Sequence, residues 1–334
     1  MTVTYLLIIA FSAFFFSSIG TVAVRNLLER LNILDHPEER SNHEMPTPRG
    51  GGLAVVFSML CFMAAVRAPA LLLLAIVIVA VISFMDDVKR QPVKTRLMVH
   101  AIAALCAVMA LHYPVFQGLF PYWMDSIIAA LLLMWFMNLF NFMDGIDEIS
   151  VMQAVSICLG AMLLETSVED LPRSLIFDGA AVVGAMFGFW LMNRHPAKIF
   201  LGDVGSVPVG LTLGFFLLEI AGRGYWEAAL IVPAYYLTDS GMTLVSRLIR
   251  GQNIAASHSD HGYQKAVRSG WSHPQVVEHI FALNLALFAL AVVSAKLPEY
   301  GFLPLIAAYA LSVALRFYFM TRRGNSVSHE VVQA

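Results

Sequence analysis

The stretch VTYLLIIAFSAFFFSSIGTVAV, residues 3–24, decides the fold because it continues for 22 residues without a charged side chain. A helix that crosses about 30 Å of hydrocarbon needs about 20 mostly apolar residues, since lipid offers no partners for backbone N–H and C=O groups. No basic leader precedes the stretch. We therefore interpret it as a retained membrane span, with a cleaved signal sequence as the alternative.

The composition extends this interpretation to the whole chain. Of 334 residues, 59% are hydrophobic and 13% are charged, whereas soluble domains are about 45–50% apolar and about 25% charged. A soluble globular enzyme is excluded. The net charge of −2 gives no basic surface for nucleic acid, so we predict no such partner. The cysteines, Cys61, Cys106 and Cys158, form no CxxC pair, which argues against disulfides or a thiolate metal site.

Apolar runs of suitable length recur along the chain and predict an all-α, polytopic membrane helix bundle. We place eleven spans near residues 3–24, 50–66, 69–85, 97–112, 123–143, 150–165, 175–192, 205–221, 226–246, 276–294 and 301–320. The connecting loops leave no room for a soluble domain, so residues 1–334 are predicted to form a single membrane domain. The two similar halves found in many transporters are not visible in the sequence.

Basic residues fall mainly on one side of this arrangement. With the N-terminus outside, sixteen Lys and Arg residues lie on one side and four on the other. Cytoplasmic loops carry an excess of basic residues, so we predict an external N-terminus and a cytoplasmic C-terminus. The cytoplasmic loops that carry motifs are then 25–49, 86–96, 144–149, 193–204 and 247–275.

Four polar clusters fall at that same predicted cytoplasmic face. They are Asp86 and Asp87; Asn138, Asn141, Asp144 and Asp147; Asp203; and His258, Asp260 and His261. Carboxylates at the mouth of a bundle are costly unless they are paired, hydrated or metal-bound. Any single aspartate is more simply a solvated helix end, but the whole set predicts a divalent cation, such as Mg²⁺, that bridges phosphates. Asp144 and Asp147 would share one face if the helix continued through them.

Three further features leave two interpretations each. Glycines 50–52 end the loop DHPEERSNHEMPTPRGGG (35–52) and either present N–H groups to an anion or allow close helix packing. The segment HSDH (258–261) is a weak zinc signal, and contact of its histidines with phosphate is at least as plausible. Asp239, inside the ninth span, is either functional or paired within the bundle.

Five segments in this order resemble the polyprenyl-phosphate N-acetylhexosamine-1-phosphate transferase family of glycosyltransferases. They are DHPEERSNHEMPTPRGGG (35–52), FMDDVKRQPVKTR (84–96), NLFNFMDGIDEIS (138–150), FLGDVGS (200–206) and RGQNIAASHSDHGYQKAVRSGW (250–271). The resemblance implies a Mg²⁺-dependent enzyme of the bacterial inner membrane, with Mn²⁺ as the alternative cation and the active site on the cytoplasmic face. It also implies that a UDP-N-acetyl sugar donates its sugar 1-phosphate to undecaprenyl phosphate and that UMP leaves.

The resemblance implies roles for individual residues. Asp86 and Asp87 match a DD pair implicated in catalysis, and Asp203 matches a carboxylate associated with Mg²⁺, with Asp87 as a second candidate ligand. The other catalytic candidates are Asp144, Asp147, His258 and His261, and the substrate-binding candidates are Arg40, His43, Arg49, Lys94, Asn138 and Asn141. We expect Asp87 and Asp203 to lie outside the packed spans, so that their replacement by alanine abolishes transfer without preventing membrane insertion.

Three departures from the family pattern bear on its branches. Glu148 stands where the family usually has glycine, the histidine segment is HSDH rather than three histidines in a row, and the DD pair is followed by Val88, Lys89 and Arg90. They favour the branch that initiates O-antigen and related surface glycans, with the phospho-MurNAc-pentapeptide transferase of peptidoglycan synthesis as the alternative. A transporter is a more distant alternative, because transporters usually bind substrate near the bilayer midplane. The sugar, a one-step or covalent mechanism, and the oligomeric state, including a homodimer, stay open.

Overall fold

The computed structural model describes residues 2–37, 45–111, 113–253, 259–322 and 324, most of them helical. The helices are α1 (Thr2–Arg30), α2 (Gly52–Ala65), α3 (Ala70–Val88), α4 (Val93–Met109), α5 (Tyr122–Phe142), α6 (Ile149–Ser167), α7 (Ser174–Asn193), α8 (Asp203–Gly222), α9 (Trp226–Ile231), α10 (Ala234–Ile249), α11 (Gly262–Arg268), α12 (His273–Lys296) and α13 (Phe302–Thr321), with a 3₁₀ turn at Pro298–Tyr300. Each predicted span overlaps one or two of these helices. The prediction of a polytopic helix bundle is confirmed.

Within the described ranges, eight helices are long and apolar enough to cross a membrane: α1, α3, α5, α6, α7, α8, α12 and α13. The chain is therefore a multi-pass membrane protein. The other three predicted spans lie on shorter elements, because α2 has 14 residues, α4 has 17, and the ninth span is broken into α9 and α10. Pro233 lies at this break and lacks the N–H that would continue the helical ladder. Eleven crossings and the sides of the two termini stay predictions.

α8 is the central helix of the bundle. Its first nineteen residues, Asp203–Ala221, are all buried, and it packs against α2, α3, α5 and α6. A helix that is apolar on every side needs neighbours on every side. The first residue of α8, Asp203, is therefore held in place by several other helices.

Four helix ends meet around the start of α8. α3 ends at Val88 and α5 ends at Phe142, whereas α2 begins at Gly52 and α8 begins at Asp203. Because two helices end where the other two begin, side chains distant in sequence come together at this end of the bundle. The end of α3 and the start of α8, for example, are in hydrogen-bond contact across 116 residues of sequence.

A small two-stranded ribbon is an exception to the predicted all-α fold. β1 (Leu34–Asp35) pairs antiparallel with β2 (Thr47–Pro48); residues 38–44, between the strands, lie outside the described part of the chain. The next residue, Arg49, forms a parallel bridge with Phe200. The ribbon therefore holds Arg49 beside the loop that leads into α8.

The triple glycine at the start of α2 allows close packing against α8. The N–H groups of residues 50–52 donate to the carbonyl groups of Phe200 and Leu201. A Cβ atom on Gly52 would lie 2.2 Å from Cα of Gly205, so only glycine fits there. Since these N–H groups are already paired, the structure favours the packing interpretation over anion binding.

Candidate active site

The Asp87 carboxylate joins the end of α3 to the start of α8. Its oxygens accept hydrogen bonds from the backbone N–H groups of Asp203 (3.1 Å) and Val204 (2.8 Å), which a helix N-terminus leaves without intrahelical partners. Gly202 has a φ of +73°, and a Cβ atom there would lie 2.8 Å from Asp87 Oδ2. Glycine therefore permits both the left-handed backbone and the close approach.

The burial of these two aspartates corrects an expectation. Only 1% of the Asp87 side chain is exposed, and Asp203 is buried as well. Both lie within the ends of packed helices rather than outside them, because α8 needs an acceptor for its first N–H groups. Replacing Asp87 by alanine would therefore disturb packing as well as chemistry.

Arg49 bridges the two carboxylates. Its Nε lies 3.0 Å from Asp87 Oδ1, and its Nη2 lies 2.6 Å from Asp203 Oδ1. Partial burial alone would lower the pKa of Arg49, but the neighbouring carboxylates of Asp203 and Asp87 raise it above its ordinary value. The guanidinium group therefore stays charged, and 39% of the side chain remains exposed.

Arg96, in the first turn of α4, makes a second bridge. Its Nη1 lies 2.6 Å from Asp86 Oδ2 and 3.5 Å from Asp203 Oδ2. One helical turn later, the buried His100 lies close to the side chain of Asn138. Neither Arg96 nor His100 is among the site residues predicted from the sequence, although their i, i+4 spacing places them on one face of α4.

Asp144 lies in the loop between α5 and α6 and is half-buried. It is close enough to Arg49, Asp203 and Asp87 for their charges to affect its titration. Burial raises the pKa of Asp144 to about 6. We call Asp86, Asp87, Asp144 and Asp203 the acidic cluster, since the structure brings them together around Arg49 and Arg96.

The two predicted asparagines lie near this cluster, on the last two turns of α5. Asn141 Oδ1 accepts a 2.5 Å hydrogen bond from the Ser206 hydroxyl in the first turn of α8. Asn138 donates to the Met134 carbonyl at 2.6 Å and contacts His100. Both side chains thus help to fix helix ends that carry the acidic cluster.

Asp147 belongs to a different group of side chains. Since α5 ends at Phe142 and α6 begins at Ile149, no helix runs through Asp144 and Asp147, and the condition for a shared helix face is not met. Asp147 Oδ2 instead lies 2.6 Å from His195 Nδ1 and 3.2 Å from His273 Nδ1.

The titration of Asp147 reflects these partners. Burial alone would raise the pKa of Asp147, but hydrogen bonds and charge interaction with His273 and His195 bring it below its ordinary value. Neither histidine is among the site residues predicted from the sequence. His195 belongs to none of the five quoted segments, and His273 follows the last of them by two residues.

The other predicted residues are placed as follows. Lys94 is exposed and lies two residues before Arg96, so it points about 200° away around α4. His261 is buried, with its Nδ1 3.8 Å from Asp239 Oδ2. Arg40, His43 and His258 lie outside the described residues, so their predicted roles are not addressed by the structure.

Asp239 is paired within the bundle, which was one of the two interpretations of this residue. Its Oδ1 accepts a 2.8 Å hydrogen bond from Arg316 Nε and a 2.7 Å bond from the Gly262 N–H. The neighbouring Tyr263 hydroxyl donates to the Phe142 carbonyl at 3.3 Å. This network ties α11 to the loop that carries Asp144.

The multi-pass helix bundle gathers carboxylates and arginines at one end, and such side chains are typical of enzyme sites that position phosphate groups. Residues 69–221 match the family model described as glycosyl transferase family 4. This match supports the family resemblance carried by the sequence motifs. The matched range contains all four members of the acidic cluster.

Three relatives have the following names and similarities. The "Probable undecaprenyl-phosphate N-acetylglucosaminyl 1-phosphate transferase" of Bacillus subtilis is 23% identical over 291 residues, 82% of this chain and 80% of the relative. The "Decaprenyl-phosphate N-acetylglucosaminephosphotransferase" of Mycolicibacterium smegmatis is 26% identical over 360 residues, 93% of this chain and 87% of the relative. The protein of the same name from Mycobacterium tuberculosis is 27% identical over 324 residues, 83% of this chain and 79% of the relative.

Proposed function

We propose that this chain transfers an N-acetylhexosamine 1-phosphate from a UDP-sugar to undecaprenyl phosphate, releasing UMP and forming undecaprenyl-diphosphate-sugar. The observation that carries the proposal is the convergence of the acidic cluster with Arg49 and Arg96 at the start of α8. The names of the relatives support the general reaction, since each names a polyprenyl phosphate and an N-acetylglucosamine phosphate transfer.

The reaction brings two anions together. An oxygen of the lipid phosphate attacks the β-phosphorus of the UDP-sugar, the bond from that phosphorus to the bridging oxygen breaks, and UMP leaves with the electron pair. The second pKa of a phosphomonoester is near 6, so the lipid phosphate is mostly dianionic at neutral pH. Electrostatic positioning is therefore a larger task for the protein than proton removal.

Arg49 and Arg96 supply positive charge in this proposal. Each guanidinium group is held on one side by carboxylates of the acidic cluster, and 39% and 31% of the two side chains remain exposed. Donors that are fixed before the reaction stabilise developing phosphate charge without reorganisation. Asp87 acts here as a positioning residue, since its oxygens accept the α8 N–H groups and contact Arg49.

Asp144 is the carboxyl group suited to accept a residual proton from the lipid phosphate. Its pKa of about 6 lies close to that of the phosphate, and proton transfer is efficient between groups of similar pKa. The charges of Arg49, Asp203 and Asp87 all act on Asp144, so it belongs to the same electrostatic unit.

The acidic cluster fits a magnesium ion. Its four carboxylates face two arginine charges, which leaves two negative charges when all four are ionised, and Mg²⁺ binds carboxylate oxygens together with substrate phosphates. Asp203 would hold the ion, with Asp87 as the second predicted ligand and Mn²⁺ as the alternative cation. When bound, the ion would neutralise negative charge on the diphosphate and on the departing UMP.

The test uses full-length protein purified in detergent, with undecaprenyl phosphate and radiolabelled UDP-GlcNAc. We expect labelled lipid and UMP in equal amounts, both lost with EDTA and restored by Mg²⁺. Asp203→Asn should abolish both products, whereas Asp170→Asn, at an exposed turn between α6 and α7, should keep them. Wild-type protein that releases no UMP from any UDP-N-acetyl sugar would overturn the proposal.

We place the reaction at the start of O-antigen or related surface-glycan synthesis, at the cytoplasmic face of the bacterial inner membrane. Sixteen basic residues against four support that orientation, and the HSDH segment and Glu148 support that branch. A panel of UDP-N-acetyl sugars, including GlcNAc, FucNAc and QuiNAc, identifies the donor. Consumption of UDP-MurNAc-pentapeptide instead would assign the chain to the peptidoglycan branch.

A further inference from the structure

A group of three potential metal ligands lies beside the acidic cluster but makes its own contacts. Asp147 comes from the loop between α5 and α6, His195 follows α7, and His273 is the first residue of α12. Each offers one ligand atom, and these atoms all lie within 4.8 Å of one another. Three distant segments of the chain therefore meet at this point.

We propose that Asp147, His195 and His273 form a binding site for a first-row transition-metal ion such as Zn²⁺. Imidazole nitrogens favour these ions, whereas Mg²⁺ prefers oxygen ligands alone. Two imidazoles and one carboxylate are a common set of three protein ligands for zinc, with the remaining position open. The site would therefore select a different ion from the acidic cluster.

The burial of the three side chains fits this arrangement. Asp147 and His273 are each only 7% exposed at the side chain, whereas His195 is 40% exposed. The carboxylate and one imidazole are thus fixed inside the protein, and the other imidazole lies toward solvent. The site is therefore accessible to an ion from the side of His195.

Contacts around the ligands hold them in place. The Glu148 carboxylate accepts 2.8 Å hydrogen bonds from the His195 N–H and from Trp190 Nε1. The Ala197 N–H donates to Asp147 Oδ2 at 3.2 Å. Partners of this kind orient metal ligands and are typical of the surroundings of a metal site.

The contact between His273 and Asp147 also points to a cation. His273 Nδ1 lies 3.2 Å from the Asp147 backbone nitrogen and 3.2 Å from Asp147 Oδ2. The approach of this nitrogen to a carboxylate oxygen is favourable when a cation lies between them. A metal ion would bind the lone pair of Nδ1 in place of the backbone N–H; a protonated His273 that donates to Asp147 is the alternative that the experiment distinguishes.

The experiment measures metal binding by the full-length protein in detergent, purified with a tag that contains no histidine and stripped with a chelator. Titration with Co²⁺ should give visible absorption bands that saturate at one ion per chain and disappear when Zn²⁺ is added. Millimolar Mg²⁺ should leave the bands unchanged. Zn²⁺ should also raise the melting temperature of the wild-type protein.

Substitutions assign the ion to these residues. His195→Gln and His273→Gln should each weaken Co²⁺ binding at least tenfold. His279→Gln is the matched control, because His279 lies on the same helix with its Nδ1 2.7 Å from the Gln275 carbonyl and should bind Co²⁺ as the wild type does. Binding is measured without substrate, so the outcome does not depend on the transfer reaction.

Two results would overturn the proposal. One is folded wild-type protein that shows neither Co²⁺ bands nor a Zn²⁺-dependent melting shift, in which case the three residues form a hydrogen-bonded cluster only. The other is Co²⁺ binding that both His195→Gln and His273→Gln leave unchanged. If either variant fails to fold, the wild-type titration still decides whether a transition metal binds.

Discussion

The Asp203 N–H donates a 3.1 Å hydrogen bond to Asp87 Oδ1, although 116 residues separate the two aspartates. Arg49 contacts both carboxylates, so the end of α3, the start of α8 and the first loop form one electrostatic unit. Asp87 therefore has two separable properties. Its oxygens cap a helix, and its negative charge balances Arg49.

Substitution of Asp87 separates these two properties. Asp87→Asn keeps one acceptor oxygen for the α8 N–H groups but removes the charge, whereas Asp87→Ala removes both. We expect both variants to lose transfer by about 100-fold or more, because misplaced phosphate-binding donors cost that much. Asp87→Ala should also lose about 1–2 kcal/mol of stability, the usual cost of a lost helix cap, and Asp87→Asn should lose less, because it keeps one of the two acceptor oxygens. Transfer assays and thermal unfolding in detergent measure the two effects, and near-normal transfer by Asp87→Asn would contradict the assigned role.

The first turn of α4 offers a matched pair of basic residues. Arg96 contacts Asp86 and Asp203, whereas Lys94 is exposed on another side of the helix. Arg96→Ala should lower transfer by about 100-fold, and Lys94→Ala should lower it less than threefold. Assays at several UDP-sugar concentrations separate binding from turnover. A larger loss in Lys94→Ala than in Arg96→Ala would favour the prediction that Lys94 binds substrate.

Asp144 should make the transfer rate and the stability depend on pH in opposite ways. Burial raises its pKa from 3.8 to about 6, so the folded state binds a proton more tightly than the unfolded state. Stability from this group is present below pH 3.8 and is lost as pH rises through about 6. Transfer, which needs the ionised carboxylate, should instead rise over the upper part of that range.

Asp144→Asn tests both directions. The variant stays neutral at every pH. At pH 7.5 its free energy of unfolding should therefore be about 1–2 kcal/mol higher than that of the wild type, and its transfer activity should be lost. Near pH 4 the stability difference should shrink, because the wild-type carboxyl group is then protonated too. Thermal unfolding and transfer assays across pH 4–8 measure this. A variant less stable than the wild type at pH 7.5 would show that ionised Asp144 is not destabilising.

The sequence predicts the bundle well because its signals are local. Apolar length locates the helices, and the acidic cluster follows from helix ends that fall on one side. The break at Pro233 and the ribbon around residues 38–44 are decided by tertiary packing. The break is marked in the sequence by a single proline within a long apolar run. The ribbon pairs only two residues with two others, which is too short to be recognised in a sequence that otherwise favours helices.

Individual contacts are harder to predict than clusters. Arg96 has a local signal, since His100 follows it by one turn on the same face. The contacts of Asp147 with His195 and His273 have none, because they join three segments whose relative position depends on how α6, α7 and α12 pack. Spacing within a motif therefore suggested a shared face for Asp144 and Asp147 that the chain does not form.

The close approach of α2 and α8 gives a stability prediction with an internal control. A Cβ atom on Gly52 would lie 2.2 Å from Gly205 Cα, whereas one on Gly241 would meet nothing within 4 Å. Gly52→Ala should therefore separate the two helices and destabilise the protein by several kcal/mol, since backbone cannot move aside cheaply. Gly241→Ala should be neutral or slightly stabilising, because alanine favours the helix. Thermal unfolding of both variants checks this, and equal melting temperatures would contradict the packing.

Glu148 combines a strained backbone with two useful hydrogen bonds, and two substitutions separate them. Its φ of +70° costs a non-glycine residue about 1 kcal/mol, while its carboxylate accepts bonds from Trp190 and His195. Glu148→Ala loses the bonds and keeps the strain, whereas Glu148→Gly loses the bonds and relieves it. Glu148→Gly should therefore be about 1 kcal/mol more stable than Glu148→Ala in thermal unfolding. If the alanine variant were the more stable of the two, the left-handed backbone at this position would not be a source of strain.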